Sequence, residues 1–387
     1  MADQRTPGDH FRNDGKRKRI LALDGGGLRG ILTLGILQKI EDVLRARHGG
    51  KADFRLAHYY DLIAGTSTGA IIAASLAMGM SVEELRAMYM DLGKRVFERS
   101  WLRQGLLRAK YDERKLIVEL KRVFGAETTL GDPRKLITGL LVITKRIDTG
   151  SPWPLSNNPA GKYYEPRPNS VVGNKDYPLW KVVRASTAAP AYFDAERITI
   201  CQPPDGKLIV GDFVDGGVSP HNNPSLMAFL YATLQGYKVS WPVGADKILL
   251  TSVGTGAADP AVQRSSIAAE HALKSLLSLM QDASTLNEIL LQWLADGPAH
   301  REIDREIGAL TGDSVDGKRL LTYARYNVDL TLDVVQKLLP ALKDPDDVAA
   351  LSAMDAPENM DTLHALGVAA AKDGVQDAHF PKVFDLA

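Results

Sequence analysis

Apolar residues fall along this chain in short runs that stop at glycines, and each run is followed by a stretch of helical spacing. RILALDGGG, Arg19 to Gly27, is the first such run, and GILTLGILQKIEDVLRARH behind it keeps a helical repeat up to Gly49 and Gly50. HYYDLIAGTSTGAIIAASLAMG repeats the order, with apolar residues leading into GTSTG and a small-residue helix starting directly behind it. DKILLTSVGTG, Asp246 to Gly256, ends another strand on glycines, and LITGLLVITKRID and KLIVGDFVD supply two more. Strands alternating with helices predict an α/β fold, a three-layer α/β/α sandwich around a mostly parallel sheet, from Lys18 to Gly256.

The flanking segments have a different grammar. Residues 1–17 are polar and charged and read as a disordered lead-in. From Asp148 to Tyr177 the chain is rich in proline, glycine and asparagine, the composition of a surface loop or an excursion beside a site. Residues 257–387 lack a strand-rich run and read as a helical extension, packed as a cap on the core or folded as a small second domain. The longest apolar stretch, Ala70 to Met80, falls short of the roughly 20 residues that span a bilayer and predicts a buried helix.

Charge and composition narrow the partners. Forty-seven lysines and arginines balance 47 aspartates and glutamates, so no global charge draws the chain to nucleic acid. Cys201 is the single cysteine, which excludes an internal disulfide and a thiolate metal cluster and points to a reducing compartment, the cytoplasm.

Three glycine motifs carry the candidate chemistry. GTSTG, Gly65 to Gly69, fits GxSxG: a serine on a strained strand-to-helix turn needs small neighbours such as Gly65 and Gly69, and the helix behind it favours developing negative charge. Its plainer reading is Ser67 as a helix N-cap. DGGGLRG, Asp24 to Gly30, can turn the amides of Gly25, Gly26 and Gly27 toward one oxyanion, with Arg29 as a neighbouring cation. GGGLRG also fits a dinucleotide fingerprint, which wants an acid at the tip of a second strand, whereas Glu41 and Asp42 fall in mid-helix. The third motif is Asp215, Gly216, Gly217, an acid released from a strand end by two glycines.

In that order the three motifs resemble the patatin-like phospholipase family of lipid acyl hydrolases. RASTAAPAYF, Arg184 to Phe193, DGGVSPHNNP, Asp215 to Pro224, and SVGTG, Ser252 to Gly256, are similar to family segments as well. The resemblance spans about Lys18 to Gly256 and implies a Ser67 and Asp215 dyad without histidine, an oxyanion loop at Gly25 to Gly27 with Arg29, no metal and no cofactor. It implies a lipid ester substrate and contact with a membrane surface, peripheral at the inner face. The candidate contact segments are Trp101 to Tyr111 and the C-terminal helices. Relatives that answer to a host protein or a cyclic nucleotide leave a protein or small-molecule activator open, with no motif here that marks one.

The residues alone keep a second arrangement in view. Eight histidines are present, and a Ser-Asp-His triad of α/β-hydrolase type would draw on His221 or His271, which follow Asp215 in the chain. A catalytically silent binding module is the remaining alternative; loss of ester turnover in Ser67→Ala separates it from an enzyme.

Overall fold

A computed structural model describes residues 5–97, 111–168, 170–190, 192–203, 206–258 and 268–386, without the side chains of 268–274 and 276. The strands are β1 (Lys18–Leu23), β2 (Leu62–Thr66), β3 (Gly139–Arg146), β4 (Ser151–Ser156), β5 (Glu196–Cys201), β6 (Ile209–Asp215), β7 (Ile248–Val253), β8 (Ala257–Ala258), β9 (Ala295–Ala299), β10 (Leu321–Tyr326) and β11 (Asp329–Leu330). The helices are α1 (Pro7–Phe11), α2 (Gly30–Arg47), α3 (Leu56–Tyr59), α4 (Thr68–Ala77), α5 (Val82–Val96), α6 (Glu113–Phe124), α7 (Leu179–Ser186), α8 (Ser225–Thr233), α9 (Ala268–Leu294), α10 (Leu332–Leu338), α11 (Pro345–Ala350) and α12 (Met360–Gly374).

One large sheet has the order β5-β6-β3-β2-β1-β7-β10-β9, with β4 also on β3, while β8 and β11 pair separately. Strands β3, β2, β1, β7, β10 and β9 run parallel, and β4, β6 and β5 join antiparallel. The central strands are apolar throughout because both sheet faces are covered. Side chains alternate between two cores. Leu21, Leu23, Ile63, Val142 and Leu249 pack under α2, α4, α5, α6, α7 and α12. Ile20, Ala22, Leu62, Leu141 and Leu250 face α1, α8 and α9. The expected α/β/α sandwich is therefore the observed one.

The pairing along β3 sets up the functional site. Residues 139–143 of β3 take β2 in parallel, up to Thr66 opposite Ile143, whereas 144–146 take β6 antiparallel, starting at Asp215 opposite Thr144. Strand β4 covers residues 141–146 of β3 and so occupies the other edge. Hence β2 and β6 lie along the same edge and point at each other, so that the residue after Thr66 meets Asp215.

Two expectations need correction. Residues 5–17 of the lead-in are structured: Thr6 and Asp9 cap α1 reciprocally, Phe11 is buried, and Arg5 and His10 both reach the Asp61 carboxylate at 3.1 Å. The capping box in a five-residue helix is too short to give a periodic signal. The C-terminal region is also more than helical: LTYARY forms the fully buried β10, which pairs with β7, and β9 follows it on the edge. The sheet thus continues past Gly256, because a single buried strand between loops carries no alternation to read.

Candidate active site

Ser67 leaves β2 at φ 54° and ψ −124°, a left-handed backbone that costs a non-glycine residue about 1–3 kcal/mol and is held by its surroundings. Its side chain makes no capping bond to α4, so the N-cap reading fails. Instead Ser67 Oγ donates to Asp215 Oδ2 at 2.6 Å. The elbow glycines are required by contact: a Cβ on Gly65 would lie 2.1 Å from the Gly69 carbonyl oxygen, and one on Gly69 would lie 2.2 Å from that of Leu23.

Asp215 is buried. Its Oδ1 accepts the Gly217 amide at 2.7 Å, and its own amide donates to the Ala188 carbonyl at 3.0 Å. Burial raises its pKa to about 6, against the lowering effects of the Ser67 hydroxyl and the Gly217 amide. The RASTAAPAYF segment holds both partners, because Ser186 Oγ also accepts the Ser67 amide at 2.9 Å while donating to the Ile143 carbonyl at 2.6 Å.

The glycine loop is supported from three sides. Gly25 donates to the Asn222 carbonyl at 3.1 Å, so this amide is committed and unavailable to an oxyanion, contrary to the expectation for it. Gly26 and Gly27 line the pocket beside Ser67, and among the described residues their amides have no hydrogen-bond acceptor. SVGTG buttresses the loop, since Thr255 Oγ1 donates to the Gly25 carbonyl at 2.9 Å and a Cβ on Gly26 would meet that same oxygen at 2.1 Å. Arg29 sits behind the pocket wall, buried, with Nε and Nη1 unpartnered among the described residues, and burial lowers its pKa to about 10. It is not a pocket-lining residue. Gly216 packs against the Ile143 carbonyl and fixes the turn.

Two supporting side chains carried no signal in the sequence. Arg325, on β10, forks both carboxylate oxygens of Asp24 at 2.9 and 2.6 Å, a buried ion pair under the start of the glycine loop. Tyr89 Oη donates to the Gly27 carbonyl at 2.7 Å. Pairing across 301 positions, as for Asp24 and Arg325, has no local trace.

Of the residues behind the competing readings, His221, Glu41 and Asp42 are described. His221 is packed beside the site, but its carbonyl, not its ring, is engaged, by Thr66 Oγ1 at 2.7 Å; its Nδ1 is buried without a partner among the described residues. The His271 side chain and Trp101 to Lys110 lie outside the described residues. Glu41 and Asp42 both bind Arg45 on α2, away from the glycine loop.

The pocket above the dyad is apolar, walled by Ile71, Leu92, Phe193, Leu277, Met280 and Met354 among others, and has a volume of about 100 Å³. Small-molecule sites usually offer about 300–1,000 Å³, so this pocket is narrow, with Leu277 and Met280 of α9 and Met354 among its walls.

The family model described as "Patatin-like phospholipase" matches residues 21–229. The cGAMP-activated phospholipase of Escherichia coli (strain TW11681) is 31% identical over 248 residues, 62% of this chain and 63% of that protein. Patatin-like protein 1 of Oryza sativa subsp. indica is 30% identical over 62% of this chain and 59% of its own length. The cGAMP-activated phospholipase of Vibrio cholerae serotype O1 is 28% identical over 67% and 69%. The chain thus spans less than two thirds of the length of the first two relatives. It belongs to the patatin-like phospholipase family. Among the described residues no helix is long and apolar enough to cross a membrane.

Proposed function

We propose that this protein is a serine lipid acyl hydrolase that cleaves carboxylic esters of phospholipids or related lipids. The observation that carries the reading is the 2.6 Å bond from Ser67 Oγ to Asp215 Oδ2 inside an apolar pocket. Asp215 takes the hydroxyl proton as Ser67 Oγ bonds to the ester carbonyl carbon, and the amides of Gly26 and Gly27 receive the oxyanion. Collapse expels the alcohol, to which Asp215 returns the proton. Water, deprotonated by the same carboxylate, then attacks the acyl-enzyme; collapse breaks the bond to Ser67 Oγ, to which Asp215 returns the proton, and releases fatty acid. The dyad supplies both nucleophile and base, so the scheme calls for no metal.

The base must be ionised to work, so kcat/KM is expected to rise with pH through about 6 and level off above it. A profile without an inflection between about pH 5 and 7 would remove Asp215 from this role. A fluorophosphonate probe, which phosphonylates an activated serine, should modify the Ser67 peptide in mass spectrometry. Modification elsewhere, or undiminished in Ser67→Ala, would contradict the assignment.

The narrow pocket favours a gated form of the same activity, with low turnover until α9 shifts. Two relatives are cGAMP-activated phospholipases, and cGAMP is the activator to test here, as a rise in fatty-acid release on adding it. Helix α9 also supplies a membrane contact. Its Leu277 and Met280 roof the pocket, while Leu279, Leu286 and Trp293, seven residues apart, stay exposed on the opposite side. Leu279→Asp with Leu286→Asp should lower binding to phospholipid vesicles roughly tenfold or more, by the loss of apolar burial. Unchanged sedimentation with vesicles would place the contact elsewhere.

A further inference from the structure

We infer that the protein carries a second ligand site, for a phosphorylated heteroaromatic compound of the nucleotide class, beside β4 and the Ile209 end of β6, the end opposite Asp215. The site is a cavity of about 550 Å³, larger than the catalytic pocket and unused by the proposed chemistry. It is lined by the proline- and asparagine-rich excursion after β3, including its own strand β4, together with residues of β5, β6 and α8. The excursion therefore borders a site, though not the catalytic one.

The lining selects the ligand class. Trp153, Tyr163, Tyr164, Tyr177, Tyr231 and Tyr237 present aromatic surface to one volume, which suits a flat π-system. Two polar side chains inside it are already used: Asn158 Nδ2 donates to the Tyr237 carbonyl at 3.0 Å and Ser170 Oγ to the Val172 carbonyl at 3.1 Å. At the mouth stand Arg146, Lys162 and Arg167 against one acid, Glu165. Arg146 is matched by Asp148 and Glu165 by Lys175, whereas Lys162 and Arg167 make no ion pair among the described residues. Arg167 lies 4.0 Å above the Tyr163 ring and Lys162 lies 5.5 Å from it, so two uncompensated cations and an aromatic face are presented together. An apolar ligand would leave that charge unused, and a bare anion would leave the rings empty. Phosphate beside a nucleobase uses both.

The cavity is wired to the dyad by covalent geometry. Ile209 lines it and Asp215 ends the same strand, roughly 20 Å on, and Arg146 of β3 lines it two residues from Thr144, the register partner of Asp215. Tyr231 belongs to α8, which follows the loop carrying Asn222 to the glycine motif. A ligand that tightens β6 and α8 would reset the dyad and the loop together. This regulatory part rests on the proposed hydrolase activity; the binding part does not.

Calorimetric titration of the full chain in Ser67→Ala form separates the two. ATP and a cyclic dinucleotide serve as probes, with adenosine as the base alone and tripolyphosphate as the anion alone. At least one nucleotide is expected to bind roughly tenfold or more tighter than both partial probes, and the exposed pair Lys162→Glu with Arg167→Glu to weaken it by a similar factor. Tyr163→Ala, also exposed, should weaken it without altering the melting temperature. No saturable binding, binding indifferent to the charge-reversed pair, or tripolyphosphate binding as tightly as the nucleotides would each overturn the site. If the wild type hydrolyses no ester, the proposed activity fails while the titration still decides the site.

Discussion

Asp215→Asn is expected to lower ester turnover by roughly 10³–10⁴-fold and, at neutral pH, to make the protein more stable. The first effect follows from removing the base that accepts the Ser67 proton, since an amide oxygen still fills the hydrogen bond but cannot take the proton. The second follows from the pKa of about 6, raised from 3.8 by burial. Below about pH 4 the carboxyl is protonated in both folded and unfolded chains and costs nothing. Between about 4 and 6 only the unfolded chain ionises it, so stability falls as pH rises, and above 6 the full penalty stands, on the order of 3 kcal/mol. The neutral amide escapes that penalty. Thermal melts of both proteins at pH 7.5 and pH 4 should show an advantage for the variant at the higher pH that shrinks at the lower. An inactive variant that melts earlier at both would mean that the substitution acts through folding. Catalysis and stability conflict at this one position, a common property of sites built for chemistry.

Arg325→Ala should have the largest effect on stability. It leaves Asp24 buried without its fork of two bonds at 2.9 and 2.6 Å, and breaking a buried pair from one side costs about 3–5 kcal/mol. For a chain of this size the melting temperature would fall by about 4–6 °C. The Gly25 to Gly27 loop follows Asp24 directly, so the surviving folded fraction should also lose turnover. Pairing Asp24→Asn with Arg325→Met removes both charges and should recover most of the stability; a double variant no better than Arg325→Ala would show that the arginine acts through packing alone.

These two residues mark where the sequence was readable and where it was not. Ser67, Asp215 and the glycines were legible because each ends an apolar run, and a strand that stops on a glycine announces a tight turn at the sheet's edge. That Ser67 and Asp215 meet was beyond local reading, because it depends on β2 and β6 sharing one edge of β3 from opposite directions. Arg325 was invisible for the same reason: its role exists only once β10 lies beside β7. Gly25 shows the limit within a motif. Its amide looks the same in sequence as its neighbours', yet it is consumed by Asn222, 197 positions further on. The capped α1 was missed because a five-residue helix has less than two turns in which to show a period.

The most direct test of the account is fatty-acid release from mixed phospholipid vesicles by the purified chain, measured beside Ser67→Ala and in excess chelator, with cGAMP added in parallel. The wild type is expected to release fatty acid, with or without the activator, in a reaction that survives chelation and disappears in Ser67→Ala. Release that persists in Ser67→Ala, or that stops in chelator, would contradict a metal-independent hydrolysis centred on Ser67 and Asp215.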